Sequence, residues 1–410
     1  MVVGDTDDEA ALPSRPAPTL ADLKPGTPDW RCTVAIYAHG FFSVAHDSEV
    51  AEAIGKPISP ASEASATAVN PRNTIPFDPW SILDFSRYLS AQGVPGANDA
   101  IQLAKLLGEL ERAGLLWLVG RDPQLPIMGE RYYSTGHISK GQLSGNLWLS
   151  PVFGAALIIP SYRAVTLQLA GHDEYGDPVD SWGTGLIIDN KHVVTNKHVV
   201  TVLAGTSAGL SVFPSGDLST AEQMPISGKA RTHPTIDVAV IEFELPEGRL
   251  IPRLGGMAFR DPDWADEVYV FGYPRVPMTA EMAITVQRGE VVNPAAETLA
   301  RQKIFLYSAV ARPGNSGGPI VAQDGRVIGL VVEDSGTSTR AGVGADTQEE
   351  SPPPRSTSER LEHFDRDIAE LKEKAFAPSF YRGIPSSEIV RALDEMGFGG
   401  ILEMDALPGT

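Results

Sequence analysis

The chain has 410 residues, 42% of them hydrophobic, a formal net charge of −19 and a sequence pI near 4.8. That length suits two or three domains with ample apolar material for their cores, and the negative charge argues against nucleic acid or an anionic membrane as principal partner. The single cysteine, Cys32, excludes an intramolecular disulfide and favours a reducing, cytoplasmic setting.

Residues 1–30 open on Met-Val-Val-Gly-Asp-Thr-Asp-Asp, which lacks the cationic region and apolar core of a signal peptide. They are acidic and rich in Pro and Ala, the composition of a disordered tail. Residues 31–150 read as a regulatory or adaptor domain. A helix is expected over Ser81–Ala91. A second starts at Asn98-Asp99, runs through Ile101, Leu103, Leu106, Leu107 and Leu110, and is closed by Gly114. Leu115–Val119 reads as a strand and Arg131-Tyr-Tyr-Ser as its return. Helices followed by a hairpin resemble a winged helix-turn-helix, a small α/β domain. The second helix sets Asp99, Glu109 and Glu111 against Lys105 and Arg112. DNA affinity rests on phosphate contacts, so a protein partner is expected at this domain. The apolar run Leu147–Pro160, punctuated by Pro151 and Pro160, is too short and interrupted to span a bilayer. It joins this domain to the next.

Downstream, Leu186-Ile187-Ile188 and His192-Val193-Val194-Thr195 read as strands turning at Asp189-Asn190. His198 follows the second strand, at an exit where a side chain can face a cleft, whereas His192 lies within the strand and reads as structural. Asp237 opens the strand-like run Val238-Ala239-Val240-Ile241. Asp189 and Asp217 sit in turn contexts, as solvated caps do, and His233 reads as a loop residue. Finally, Arg312-Pro-Gly-Asn-Ser-Gly-Gly-Pro319 puts Ser316 among glycines. A nucleophilic hydroxyl needs such a turn, because glycine lets the main chain fold sharply and approach a substrate closely, and backbone N–H groups beside the serine can face a developing oxyanion.

The three blocks, in the order His198, Asp237, Ser316, resemble a trypsin-like (chymotrypsin-fold) serine peptidase. The short spacings and the Gly-Asn-Ser-Gly-Gly form are nearest to the bacterial HtrA/Deg-like branch, although no PDZ region is recognisable after the barrel. The likeness runs from about Gly154 to Gly397. It implies a mainly β fold of two six-stranded antiparallel β-barrels within a peptidase domain at 151–410, with the triad in the crevice between them. It implies Ser316 as nucleophile, His198 as base, Asp237 as the group that orients the imidazole, and the N–H groups of Gly314 and Ser316 as the oxyanion hole. It also implies a substrate pocket floored by Val310 and Ala311 and walled by Val331, Val332 and Glu333. Without a buried acid on its floor, that pocket is expected to take a small or medium apolar residue. Asn315 stands where secreted trypsins carry an Asp that pairs with a newly cut N-terminus, so loop ordering rather than clipping is expected to control activity.

Residues 336–355 read as a flexible loop. A capping box at Ser356–Glu359 then leads into a helix through Leu361, Phe364, Ile368 and Leu371, forming an insertion at 336–375. Phe380–Pro385 resembles the last barrel strand, and Ser386–Met396 a terminal helix. No Cys/His cluster or phosphate loop is present in the sequence, so neither metal nor cofactor is expected. The expected function is a serine endopeptidase acting on protein or peptide substrates. The alternative is a catalytically silent barrel used as a binding scaffold.

Overall fold

A computed structural model describes residues 19–44, 46–56, 79–135, 138–172, 178–204, 210–213, 224–225, 230–242, 254–274, 276, 283–332 and 380–405. The chain is mainly β and contains a closed six-stranded barrel.

Among the described residues the N-terminal part forms four α-helices and a hairpin: α1 (Pro28–Phe41), α2 (Ser48–Ala53), α3 (Ile82–Ala91), α4 (Ala100–Arg112), β1 (Leu116–Arg121) and β2 (Glu130–Ser134). Each helix starts where a side chain satisfies orphan N–H groups. Thr27 caps α1, Asp47 caps α2, Ser81 and Asp84 form a capping box on α3, and Asp99 caps α4. Trp30, Phe41, Phe85, Leu103 and Leu107 bury the shared apolar faces in one cluster. Residues 19–30, expected in the disordered tail, are ordered instead. Trp30 is only 1% exposed and its Nε1–H donates to the Pro95 carbonyl at 2.6 Å, so aromatic burial outweighs the Pro-rich composition. Gly114 has φ +74°, the left-handed geometry that ends α4.

The run 147–160 is helical, as α5 (Ser150–Phe153) and the start of α6 (Ala155–Arg163). No helix among the described residues is long and apolar enough to cross a membrane. Next come β3 (Thr166–His172), β4 (Pro178–Ile187), β5 (His192–Thr195), α7 (Lys197–Ala204), β6 (Leu210–Phe213), β7 (Met224–Pro225), β8 (Ala230–Thr232) and β9 (Ala239–Glu242). They pair in the order β7-β6-β3-β4-β5-β9-β8. Among the described residues this is a seven-stranded sheet, not the closed six-stranded barrel expected for the first half. Its edges are the two-residue β7 and the three-residue, exposed β8.

The second half closes. β10 (Glu267–Gly272), β11 (Thr285–Glu297), β12 (Lys303–Tyr307), β13 (Pro319–Ala322), β14 (Val327–Val332) and β15 (Tyr381–Pro385) form a barrel in the order β10-β11-β12-β15-β14-β13, with β13 pairing back onto β10. Full closure leaves no edge strand. Val268, Val270, Phe305, Ile320, Ile328 and Val331 fill it. The expected insertion at 336–375 lies outside the described residues. α8 (Ser386–Glu395) follows β15 directly, and its Ile389, Ala392 and Leu393 join the core shared with the seven-stranded sheet.

A buried ion network ties the barrel to the tail. Arg260 grips Asp266 with both terminal nitrogens, at 2.7 and 2.8 Å, and reaches Asp324 through Nε at 2.7 Å. Arg326 pairs with Asp324 at 3.0 Å and Asp405 at 2.8 Å. Arg260 is held above the usual guanidinium range: burial alone would lower it, but the hydrogen bonds and charges of Asp266 and Asp324 outweigh that.

Candidate active site

Asp237 holds His198 at two points. Oδ1 accepts the His198 backbone N–H at 2.9 Å, and Oδ2 accepts the ring Nδ1–H at 2.7 Å. His198 is the second residue of α7, so the carboxylate also sits at the helix N-terminus, where negative charge is favoured. With Nδ1 donating, the neutral imidazole keeps Nε2 as an acceptor. The His198 side chain is 39% exposed. The Asn196 Nδ2–H donates to the Asp237 carbonyl at 3.0 Å and so braces the two loops against each other.

His192 and Asp189, the alternatives for base and orienting acid, pair with one another. Asp189 Oδ1 accepts the N–H groups of Lys191 and His192, and Oδ2 lies 2.6 Å from His192 Nδ1. This clasp closes the turn between β4 and β5. Burial alone would raise the Asp189 carboxyl, but those hydrogen bonds bring it below its ordinary value. Asp217 lies outside the described residues. His233 lies in the loop after β8, as expected, but it is not free. It is 2% exposed and bound on both ring nitrogens.

Ser316 lies in the turn before β13, and its loop is stitched to the seven-stranded sheet. The Thr184 N–H donates to the Ser316 carbonyl at 2.9 Å, and the Thr184 hydroxyl donates to the Gly314 carbonyl at 2.7 Å. The Thr195 hydroxyl in turn donates to the Thr184 carbonyl at 2.7 Å. Gly317, at φ +82°, fits where a Cβ would lie 2.2 Å from both the Thr184 carbonyl and the Thr195 hydroxyl. The same Cβ would lie 3.1 Å from the Asn196 nitrogen, two residues before His198. The serine loop thus abuts the strand that leads into His198. The Ser316 Oγ itself is buried and makes no hydrogen bond with any described residue, so no bond to His198 is formed in this state. Among the described residues the Gly314 and Ser316 N–H groups also donate to no acceptor, which leaves both amides uncommitted.

The expected pocket residues differ in burial. Val310 is exposed, whereas Ala311 and Val331 belong to the barrel core. Val332 lines a cavity of about 720 Å³ together with His198 and Asp237. Val310 and Ala311 do not line that cavity, and Glu333 lies outside the described residues. Thr184, Thr195 and Asn196 escaped the sequence reading. The only local signal was their place in Gly-Thr-Gly and Thr-Asn-Lys-His beside the histidine. Helix α7 was also missed, although Val199, Val200 and Leu203 recur at helical spacing and are all buried. No group of three or more His, Cys, Asp or Glu residues able to hold a metal occurs among the described residues.

Residues 183–330 match the family model of the trypsin-like peptidase domain. No curated protein sequence matches the chain. Among solved structures, it is similar to the Rv3671c protease in an inactive form, at 15% identity and a TM-score of 0.38, over 60% of this chain and 96% of that one. It is also similar to a serine endoprotease from Yersinia pestis, at 15% identity and a TM-score of 0.36, over 58% of this chain and 65% of that one. A third similar structure is an HtrA-type protease, AlgW, solved with a tripeptide, at 17% identity and a TM-score of 0.38, over 60% of this chain and 64% of that one. The chain spans less than two thirds of the latter two proteins.

Proposed function

We propose that this chain, whose residues 183–330 match the trypsin-like peptidase domain, is a serine endopeptidase that cleaves peptide bonds through Ser316, His198 and Asp237. The observation that carries the reading is the two-point grip of Asp237 on His198. It fixes the ring in the tautomer whose Nε2 can take a proton. In the reaction the Ser316 hydroxyl gives its proton to that Nε2 as Oγ attacks the scissile carbonyl. The free N–H groups of Gly314 and Ser316 stabilise the resulting oxyanion, each such donor contributing roughly 3 kcal/mol. The intermediate collapses to an acyl-enzyme as His198 returns the proton to the leaving amine, and water then releases the acid.

The Ser316 hydroxyl has no hydrogen-bond partner among the described residues, so attack requires a rearrangement that brings it to His198 Nε2. Asn315, 1% exposed with its Oδ1 unpartnered, fits a loop ordered by substrate rather than by a new N-terminus. Val310, exposed and uncharged, supports a small or medium apolar residue before the cleaved bond. Residues 31–150 are read as a regulatory, winged-helix-like module that docks a protein partner. Residues 151–410 are read as the peptidase part, related to the HtrA-like branch. The chain's charge and lone cysteine favour a cytoplasmic protein that binds neither nucleic acid nor membrane. The same unpaired hydroxyl favours a second reading, a silent scaffold.

Labelling with a fluorophosphonate separates the two. Stoichiometric labelling that is lost in Ser316→Ala and strongly reduced in His198→Ala is expected. No labelling, with or without peptide, sinks the enzyme reading in favour of the scaffold.

A further inference from the structure

The cavity beside the His198–Asp237 pair carries charge of the opposite sign to the chain. Arg301, Lys303, Arg382 and Arg391 line it, against the carboxylates of Asp237 and Glu388. Asp237 is engaged by His198. Glu388, whose side chain is 6% exposed, is shared by Lys303, at 3.3 Å, and Arg391. Among the described lining residues cations outnumber carboxylates four to two, in a protein whose net charge is −19, although Arg382 has a partner of its own. The side chains of Arg301, Lys303 and Arg391 remain more than half exposed.

Arg301 is held there by the backbone. It has φ +63°, a left-handed conformation unusual for a non-glycine residue, which persists only where the surroundings impose it. Its N–H donates to the Thr298 carbonyl at 2.9 Å, and the Thr298 N–H donates to the Gln302 carbonyl at the same distance. Gln302 Nε2–H then donates at 2.9 Å to the carbonyl of Thr235, two residues before Asp237. The hairpin tip that presents Arg301 is therefore fastened to the loop that carries Asp237. Glu297 pairs with Arg301 at 3.4 Å, but both side chains are largely exposed, so an incoming carboxylate can compete for the guanidinium.

We propose that this cavity is a subsite for an Asp or Glu side chain of the peptide cleaved by Ser316. The inference rests on the peptidase reading above and adds a substrate class to it: peptides acidic at a position near the cut, whatever apolar residue precedes the bond. Guanidinium groups favour carboxylates because they donate two parallel hydrogen bonds in a fixed fork. A partly enclosed wall strengthens the attraction relative to open water.

The test pairs fluorogenic peptides that differ only by Glu against Gln, or Asp against Asn, at each position within three of the cleaved bond. The wild type should favour the acidic member at one position, and the preference should shrink as salt rises. Arg301→Gln and Lys303→Gln should each reduce that preference roughly fivefold and leave turnover of the amide peptide unchanged, and Arg301→Gln should also leave the melting temperature unchanged. Equal turnover of acidic and amide peptides, or a preference that neither variant alters, overturns the proposal. Fluorophosphonate labelling of Ser316 in the same samples separates the two ideas. Labelled enzyme without acidic preference removes the subsite alone. If no labelling occurs, fluorescence anisotropy of an acidic peptide on Ser316→Ala reads the cavity directly: binding weakened by Arg301→Gln supports it, and no binding overturns it.

Discussion

His233 links the Asp237 loop to the C-terminal helix through Glu395. Its Nε2 lies 2.8 Å from Glu395 Oε2, while Nδ1 accepts the N–H of Ile236 at 2.9 Å and of Thr235 at 3.4 Å. Two amide donors on Nδ1 fix that nitrogen as acceptor, so Nε2 is the nitrogen that donates to Glu395. His233→Ala strands these donors and is expected to cost roughly 1–3 kcal/mol of stability. It should also lower kcat for peptide cleavage, because Asp237 follows Ile236 directly. His233→Gln, which can donate and accept, should recover part of both. Thermal melts and steady-state kinetics read the two effects separately; an unchanged kcat in the alanine variant would contradict a positioning role.

Asp237→Asn should keep the fold, because the amide oxygen can still accept the His198 N–H. The amide nitrogen, however, faces Nδ1 and selects the wrong imidazole tautomer. A fall in kcat on the order of 10⁴ is expected, with the melting temperature nearly unchanged. Activity close to wild type would remove Asp237 from the mechanism.

Gly317→Ala tests the close approach of the serine loop to the sheet. Its Cβ would collide with the Thr184 carbonyl and Thr195 hydroxyl in addition to adopting φ +82°. Gly93→Ala, at φ +73° with open space around it, isolates the backbone component, which is about 1–2 kcal/mol. Gly317→Ala should be destabilised more than Gly93→Ala and should lose Ser316 labelling. Gly93→Ala should retain labelling.

Asp84 gives a pH signature to the N-terminal helices. Burial would raise its carboxyl, but hydrogen bonds from Lys56 and Ser81 bring it below the ordinary value of 3.8. A folded value below the unfolded one means that this contribution is fully present above about pH 3.8 and is lost as pH falls through the folded value. Acid unfolding of wild type should therefore steepen below that pH, while Asp84→Asn is less stable at neutral pH and loses that part of the slope. Tryptophan fluorescence reads it through the buried Trp30 and Trp80. Identical acid slopes for the two proteins would contradict it.

What the sequence made legible was local. Strand β5 coincides with His192–Thr195, and α8 begins at Ser386, because alternation, capping and helical spacing are written within a few residues. Helix α7 was hidden by its β-branched Val199, Val200, Thr201 and Val202, which lower helix propensity and read as strand exit. Packing of Val199 and Val200 into the sheet core overrides that preference. Helix α1 was hidden by the Pro- and Ala-rich segment before it. The stitches from Thr184 to Gly314 and from His233 to Glu395 join residues 130 and 162 positions apart. No local pattern foretells such bonds. The strand order of the first sheet among the described residues has the same origin, since strand pairing depends on distant partners.

The Arg326–Asp405 pair gives the last described residues a structural duty. Asp405 also donates its N–H to the Phe259 carbonyl at 2.7 Å, so a polypeptide released by a premature stop before this point would forfeit a zipper along the barrel wall. The Arg326 Nε–H, in a side chain 8% exposed, would then face a dry seam with no counterpart. The barrel's own ladders close without Asp405, but the buried Arg326 beside them keeps its second carboxylate partner only when the chain reaches that residue.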